Sequence, residues 1–377
     1  MNIGRRAFLI SGGAAALAQE VTFRTEVKLV RMLATVKDSN GALIVGLEKE
    51  DFEVSDNGAA QEIAIFERQT AQPLSVGLML DTSGSTAKDL KYELDSIERF
   101  SKALFGSGNT GDQAALFTFN HEVVKRSAFT RRQKRIEEAL RGVKAEAGTS
   151  MYDAIHLGSL ELGKREGRRV MVVVTDGGDT TSRIDFHAAL ESAHKNDVVI
   201  YGIVVVPISN DAGRNVGGEN ALYQFATGTG GKTYLPTVGK ELDKAFDEIL
   251  RDLRTQYLIA YYPKNVPLTR NRFHTVKLAA KKPGLRVQSR SGYYGEAAPE
   301  MGSKGVGKKK APESTQREAE YLRDLVERKQ LVRLRLNDNL EHTGTIEYFD
   351  GSFVRLARPG QPNLFVFKHD IKYMIEV

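Results

Sequence analysis

Three short segments of this chain carry side chains that could do chemistry. The first, Asp81-Thr82-Ser83-Gly84-Ser85, follows the apolar run Leu74 to Leu80 and opens a helical stretch. The second, Gly148-Thr149, precedes another helical stretch near Met151; the third, Thr175-Asp176-Gly177-Gly178, closes the run Val170 to Thr175. Taken singly, Asp, Ser and Thr at a strand-to-helix junction are ordinary caps for orphan backbone N–H groups. Taken together they gain meaning, because loops at the carboxyl ends of adjacent parallel strands converge on one crevice. Asp81, Ser83, Ser85, Thr149 and Asp176 then offer two carboxylates and three hydroxyls. Such a set suits a hard divalent cation that keeps some of its water. Two aspartates leave that ion close to neutral and still electrophilic toward an outside carboxylate.

The composition narrows the alternatives. The chain has 377 residues and no cysteine, which excludes disulfides, thiolate zinc sites, iron–sulfur ligation and a cysteine nucleophile. At roughly 100–200 residues per domain it holds two to three domains. A hydrophobic fraction of 41% and a charged fraction of 27% are those of a globular chain. The net charge is +6, and residues 301–377 carry half of it, with seven Lys and seven Arg against four Asp and seven Glu.

The elements that must position the three segments follow from the hydrophobic pattern. Leu74–Leu80, Ala114–Phe119, Val170–Thr175 and Val198–Val206 are apolar, β-branched runs separated by amphipathic helix-length segments, the signature of an open, doubly wound parallel α/β sheet. Residues 19–72 and 256–295 instead alternate in short strand-like runs with turn chemistry between them. They are expected to form one β-sandwich-like domain into which the α/β unit, residues 73–255, is inserted.

At these residues the chain resembles the von Willebrand factor type A domain. Asp81-x-Ser83-x-Ser85, Thr149 and Asp176 in Thr-Asp-Gly match, in order, that family's metal-ion-dependent adhesion site. The resemblance implies Mg²⁺ or Mn²⁺ as cofactor and a protein ligand that presents an acidic residue to the metal. The flanking segments, with Gly46-Leu47-x-x-x-Asp51-Phe52 and Arg290-x-Gly292-Tyr293, resemble a bacterial subgroup of type A proteins, often exported. No Gly-x-Ser-x-Gly elbow surrounds Ser83 or Ser85 and no histidine is placed by motif as a base, so no catalytic residue is expected. The stretch Ala226 to Thr233 fits a relaxed phosphate-loop pattern, but its order is helix, glycines, strand, the reverse of what phosphate binding needs.

A second constellation lies at the C-terminus. Residues 296–316 are rich in Gly, Pro, Ala and Lys and read as a basic linker. Within 317–377, a short amphipathic helix precedes five short strands, a pattern that must curl into a small barrel to cover its core. Tyr321-Leu322-x-x-Leu325, Gly344-x-Ile346-Glu347-x-Phe349-Asp350 and Phe367-Lys368-His369-x-Ile371 resemble the bacterial Sm-like RNA chaperone Hfq. That resemblance implies a ring of six subunits and binding of single-stranded, uridine-rich RNA. Phe353 would stack on bases, Lys368 would meet phosphate and His369 base or sugar at the pore, Phe367 beside them would belong to the same RNA site, and Arg328 and Lys329 would form a basic rim. No DNA-binding motif is present. The rival expectation is an exported adhesion or scaffold protein whose barrel only multimerises it.

Compartment signals conflict. Residues 1–18, with Arg5-Arg6 before the run Phe8 to Ala18, read as a twin-arginine-like export segment, while an Hfq-like domain suits the cytoplasm. Eleven apolar residues are too few for a transmembrane helix.

Overall fold

The computed structural model describes residues 29–68, 71–176, 178–205, 216–236, 239–267, 272–295, 316–336, 340–349, 353–358, 361, 363–368 and 371–377. The export-like segment, the linker up to residue 315 and His369 lie outside them.

The long apolar runs form a sheet because only pairing on both edges and cover on both faces removes them from water. Its parallel strands lie in the order Thr233–Tyr234, Val198–Val204, Arg168–Thr175, Leu74–Asp81 and Gln113–Phe119. Leu74–Asp81 is buried along its whole length, as a central strand with helices on both sides must be. On one face Leu90–Ser107, Gln133–Leu140 and Lys240–Thr255 enclose a core with Leu78, Leu80, Phe100, Val172, Phe246 and Leu253. On the other, Met151–Gly163, Phe186–Lys195 and Val216–Thr229 enclose Met79, Phe117, Ile155, Met171, Leu222 and Phe225. Among the described residues no helix is long and apolar enough to cross a membrane.

The chain leaves the α/β unit through Lys240–Thr255 and enters Tyr257–Tyr261, which lies between Val30–Lys37 and Ile63–Glu67. A second sheet, in the order Gly292–Tyr294, Phe273–Ala280, Phe52–Asp56, Ala59–Gln61, packs over the first around Met32, Phe52, Tyr257 and Tyr261. The two halves of the sandwich thus come from either side of the inserted unit.

At the C-terminus the helix Gln316–Glu327 covers a core with Leu322, Leu325, Val332, Leu334, Ile346, Val354 and Leu356. Five antiparallel strands follow the order Asn363–Phe367, Phe353–Ala357, Glu341–Phe349, Leu331–Leu336, Ile371–Glu376. Gly344 has a steric reason to be glycine: a Cβ there would sit 2.3 Å from the Ala357 carbonyl oxygen. The sheet does not end on itself. Asn363–Phe367 pairs antiparallel with Val123–Lys125, the strand that follows Gln113–Phe119 in the α/β unit, so that eleven strands form one continuous sheet. Charged groups reinforce this seam. Arg355 lies 3.3 Å from Glu347 and 3.9 Å from Glu161, Lys125 also pairs with Glu161, and His342 stands 3.8 Å from Glu122.

Candidate functional site

Asp81 ends the central strand, with Gln113–Phe119 and Arg168–Thr175 on either side, so Asp81, Phe119 and Thr175 reach the same edge of the sheet. The Thr82 amide donates to the Phe119 carbonyl (2.8 Å), which turns the chain out of the sheet and into the 3-10 turn Gly84–Lys88. That turn folds the hydroxyls back. The Ser83 amide donates to Asp81 Oδ1 (2.7 Å), Thr175 Oγ1 donates to Asp81 Oδ2 (2.5 Å), and the Ser83 and Ser85 hydroxyls lie 3.1 Å apart. Ser85 also acts on the Asp176 carboxyl, against the upward push of burial. Asp81, Ser83, Ser85 and Asp176 are therefore brought into one cluster of hard oxygen donors.

Thr149 reaches the same end of the sheet from its own loop. Its amide donates to Thr180 Oγ1 (3.0 Å), and its carbonyl accepts from the Thr180 and Thr181 amides. The next residue is anchored by the Ser150 amide donating to the Asn120 carbonyl (2.7 Å). Gly148, at φ +87°, packs so closely on His121 that a Cβ would lie 2.9 Å from that residue's own.

Residues 76–178 match the family model of the von Willebrand factor type A domain. The chain contains a type A domain. Similar solved structures include the vWF domain of the type V pili tip protein Mfa5 from Porphyromonas gingivalis, at 15% identity, covering 48% of this chain and 95% of that one, with a TM-score of 0.40. An aerotolerance-related membrane protein from Bacteroides fragilis has 21% identity, 48% and 98% coverage and a TM-score of 0.37. The PilB minor pilin from Streptococcus sanguinis has 14% identity, 50% and 62% coverage and a TM-score of 0.39. A comparison with curated proteins gives no match.

Burial sets the electrostatics of this cluster. Burial pushes the Asp81 carboxyl up to about 6, against the opposing hydrogen bonds from Thr175 and Ser83. Burial raises Asp176 as well, with Ser85 acting the other way. A residue that the motif does not include shares the region: Glu93, in the first turn of Leu90–Ser107, is 1% exposed, and neither of its carboxylate oxygens has a hydrogen-bond partner. Burial raises it well above the usual range, and the charges of Asp81, Asp176 and Asp89 raise it further. The sequence did carry a signal for it, since Glu93 lies on the same stripe as the buried Leu90, Ile97, Phe100 and Leu104. An acid on an apolar stripe is the anomaly to notice. Among the described residues no three Asp, Glu or His side chains converge closely enough to hold a metal by themselves.

Of the residues expected to meet RNA, Phe353, Phe367 and Lys368 lie at one end of two paired strands, and Arg328 and Lys329 lie apart from them, just past the helix Gln316–Glu327. Phe353 and Phe367 open and close adjacent strands and pair with each other in register. Lys368 stands over the Phe349 ring, 5.3 Å from its centre. Arg328 is engaged with Asp324 and with Glu376 at 3.6 Å, and Lys329 ends the helix at φ +49°.

Proposed function

We propose that this protein binds an acidic side chain of a protein ligand through a divalent cation held by Asp81, Ser83, Ser85 and Asp176, with Thr149 joining from the neighbouring loop. The observation that carries this reading is the hydrogen-bonded cluster of Asp81, Ser83, Ser85 and Thr175 at the carboxyl end of the central strands, with Asp176 next in the chain after Thr175. Mg²⁺ or Mn²⁺ fits these donors and would supply Lewis acidity toward the incoming carboxylate. The protein's share is to hold the hydroxyls folded back over the strand end, with Thr175 fixing the Asp81 carboxylate. Binding without catalysis is part of the proposal. Asp81→Ala should abolish the rise in melting temperature that Mg²⁺ gives the full chain; an unchanged rise in that variant rejects the site.

For the C-terminal unit we propose an Sm-like fold that binds RNA, supported by its N-terminal helix, its strand order and the basic residues on 317–377. Binding of uridine-rich RNA should fall steeply with salt, since phosphate contacts release counterions; no affinity at low salt would remove this reading. The rival, an exported scaffold in which this unit only multimerises the chain, draws support from the edge strand Ile371–Glu376, where Tyr373 and Ile375 are exposed.

A further inference from the structure

Glu93 has no structural occupation. A carboxylate this deeply buried is normally met by a cation or by several donors, because removing a charge from water costs several kcal/mol in effect (roughly, after relaxation). Other buried acids of the type A domain obey this rule. Asp153 accepts from the amides of Arg183 and Ile184, and Glu161 from Lys125 and Lys164. Glu93 meets neither a donor nor a cation, and the charged groups that act on it, Asp81, Asp176 and Asp89, are all acidic. Glu93 is thus a buried acid that nothing in the chain satisfies, one helical turn on from the 3-10 turn that carries Ser85, with its amide donating to the Asp89 carbonyl (3.1 Å) and the Asp89 amide to the Thr86 carbonyl (2.9 Å).

We propose that Glu93 is a positioning residue of the cation site, holding the water that the ion retains rather than the ion itself. Glu93 stands on the helix Leu90–Ser107, beyond the strand end and the 3-10 turn that carry Asp81, Ser83 and Ser85. A carboxylate behind the ligands suits a cation that dehydrates reluctantly and keeps several waters. The inference rests on the cation-site reading above, and it changes the charge count there. Asp81 and Asp176 alone neutralise a divalent ion, whereas Glu93 adds a negative charge that tightens the ion while tempering its pull on an outside acid.

The test is calorimetric titration of the full chain with Mg²⁺ and with Mn²⁺, in the wild type, Glu93→Gln and Glu93→Met. Both variants should bind Mg²⁺ about 10- to 100-fold more weakly, the range usual for lost outer-shell partners. In chelator both should melt no lower than the wild type, Met at a higher temperature, because each removes a buried acid whose oxygens no group of the chain meets. Water-proton relaxation by bound Mn²⁺ should report a more mobile bound water in the variants, a change that a merely structural Glu93 would not produce. Unchanged Mg²⁺ affinity in either folded variant overturns the inference and leaves the site intact. Variants that melt lower in chelator but bind normally assign Glu93 to the fold. A wild type that binds neither ion removes the cation site and this inference with it.

Discussion

Glu93 and Glu161 are both acids of the type A domain, on helices that pack on opposite faces of one sheet, and both are almost wholly buried, at 1% and 4% exposure. Their surroundings are opposite. Glu161 is met by Lys125 and Lys164, with Arg355 of the C-terminal unit 3.9 Å away, and against the upward push of burial Lys125 and Lys164 hold its carboxyl below the usual range. Glu93 is driven up by burial first, and then by the charges of Asp81, Asp176 and Asp89. A charge answered within the chain fastens parts of the molecule together. One left unanswered marks where something from outside belongs.

The largest expected effect breaks the satisfied half of this comparison. Glu161→Ala leaves Lys125 buried without its counter-charge and should cost about 3–5 kcal/mol in denaturant unfolding. Adding Lys125→Met should restore most of the loss, and a cost below about 1 kcal/mol for the single variant would show that the pair holds nothing.

The next effect sharpens the unsatisfied half and depends on pH. Burial holds the Asp81 carboxyl at about 6 in the folded protein, above its ordinary value of 3.8, so the folded form keeps its proton longer than the unfolded chain does. The stability linked to this proton is full below about pH 4 and is lost as pH rises through about 6. The loss is on the order of 3 kcal/mol at most, from a shift of about two pH units. Asp81→Asn should lack that slope in melts run in chelator, and parallel wild-type and variant curves across this window would contradict it. In the wild type, Mg²⁺ should weaken in binding as pH falls through the same window, since protons compete for the ligand.

The smallest effect falls on Arg355, which is half-buried at the seam and 3.3 Å from Glu347. Arg355→Ala should cost about 1 kcal/mol or less. Its clearer sign is faster hydrogen exchange at the amides of Val123–Lys125, with exchange in Leu74–Asp81 unaltered; equal acceleration in both strands would mean that the seam is not a separate joint.

The α/β sheet was legible because its strands are buried on both faces and read as uninterrupted apolar runs, such as Leu74–Leu80 and Val170–Thr175. The sandwich was legible from alternation and turn residues such as Asp56-Asn57-Gly58. The seam was not, since Val123–Lys125 is three residues long and nothing in its pattern names a partner some 240 residues away. The motif named Asp81, Ser83, Ser85 and Asp176 by spacing, and the structure gathers those four. For Thr149 the spacing named the residue but not its tether to Thr180 and Thr181. Glu93 escaped because an acid in a helix's first turn also suits the helix dipole; only its burial separates the two readings.

The continuous sheet has a mechanical consequence. Two residue pairs, Asn363 with Lys125 and Leu364 with Val124, join the C-terminal five strands to the other six, whereas Leu74–Asp81 and Arg168–Thr175 share seven. Among the described residues the apolar core of the C-terminal unit is separate from those of the type A domain, and none bridges the joint. A tensile load carried between the two units therefore yields there first, zipper fashion, and the units part with both interiors still folded.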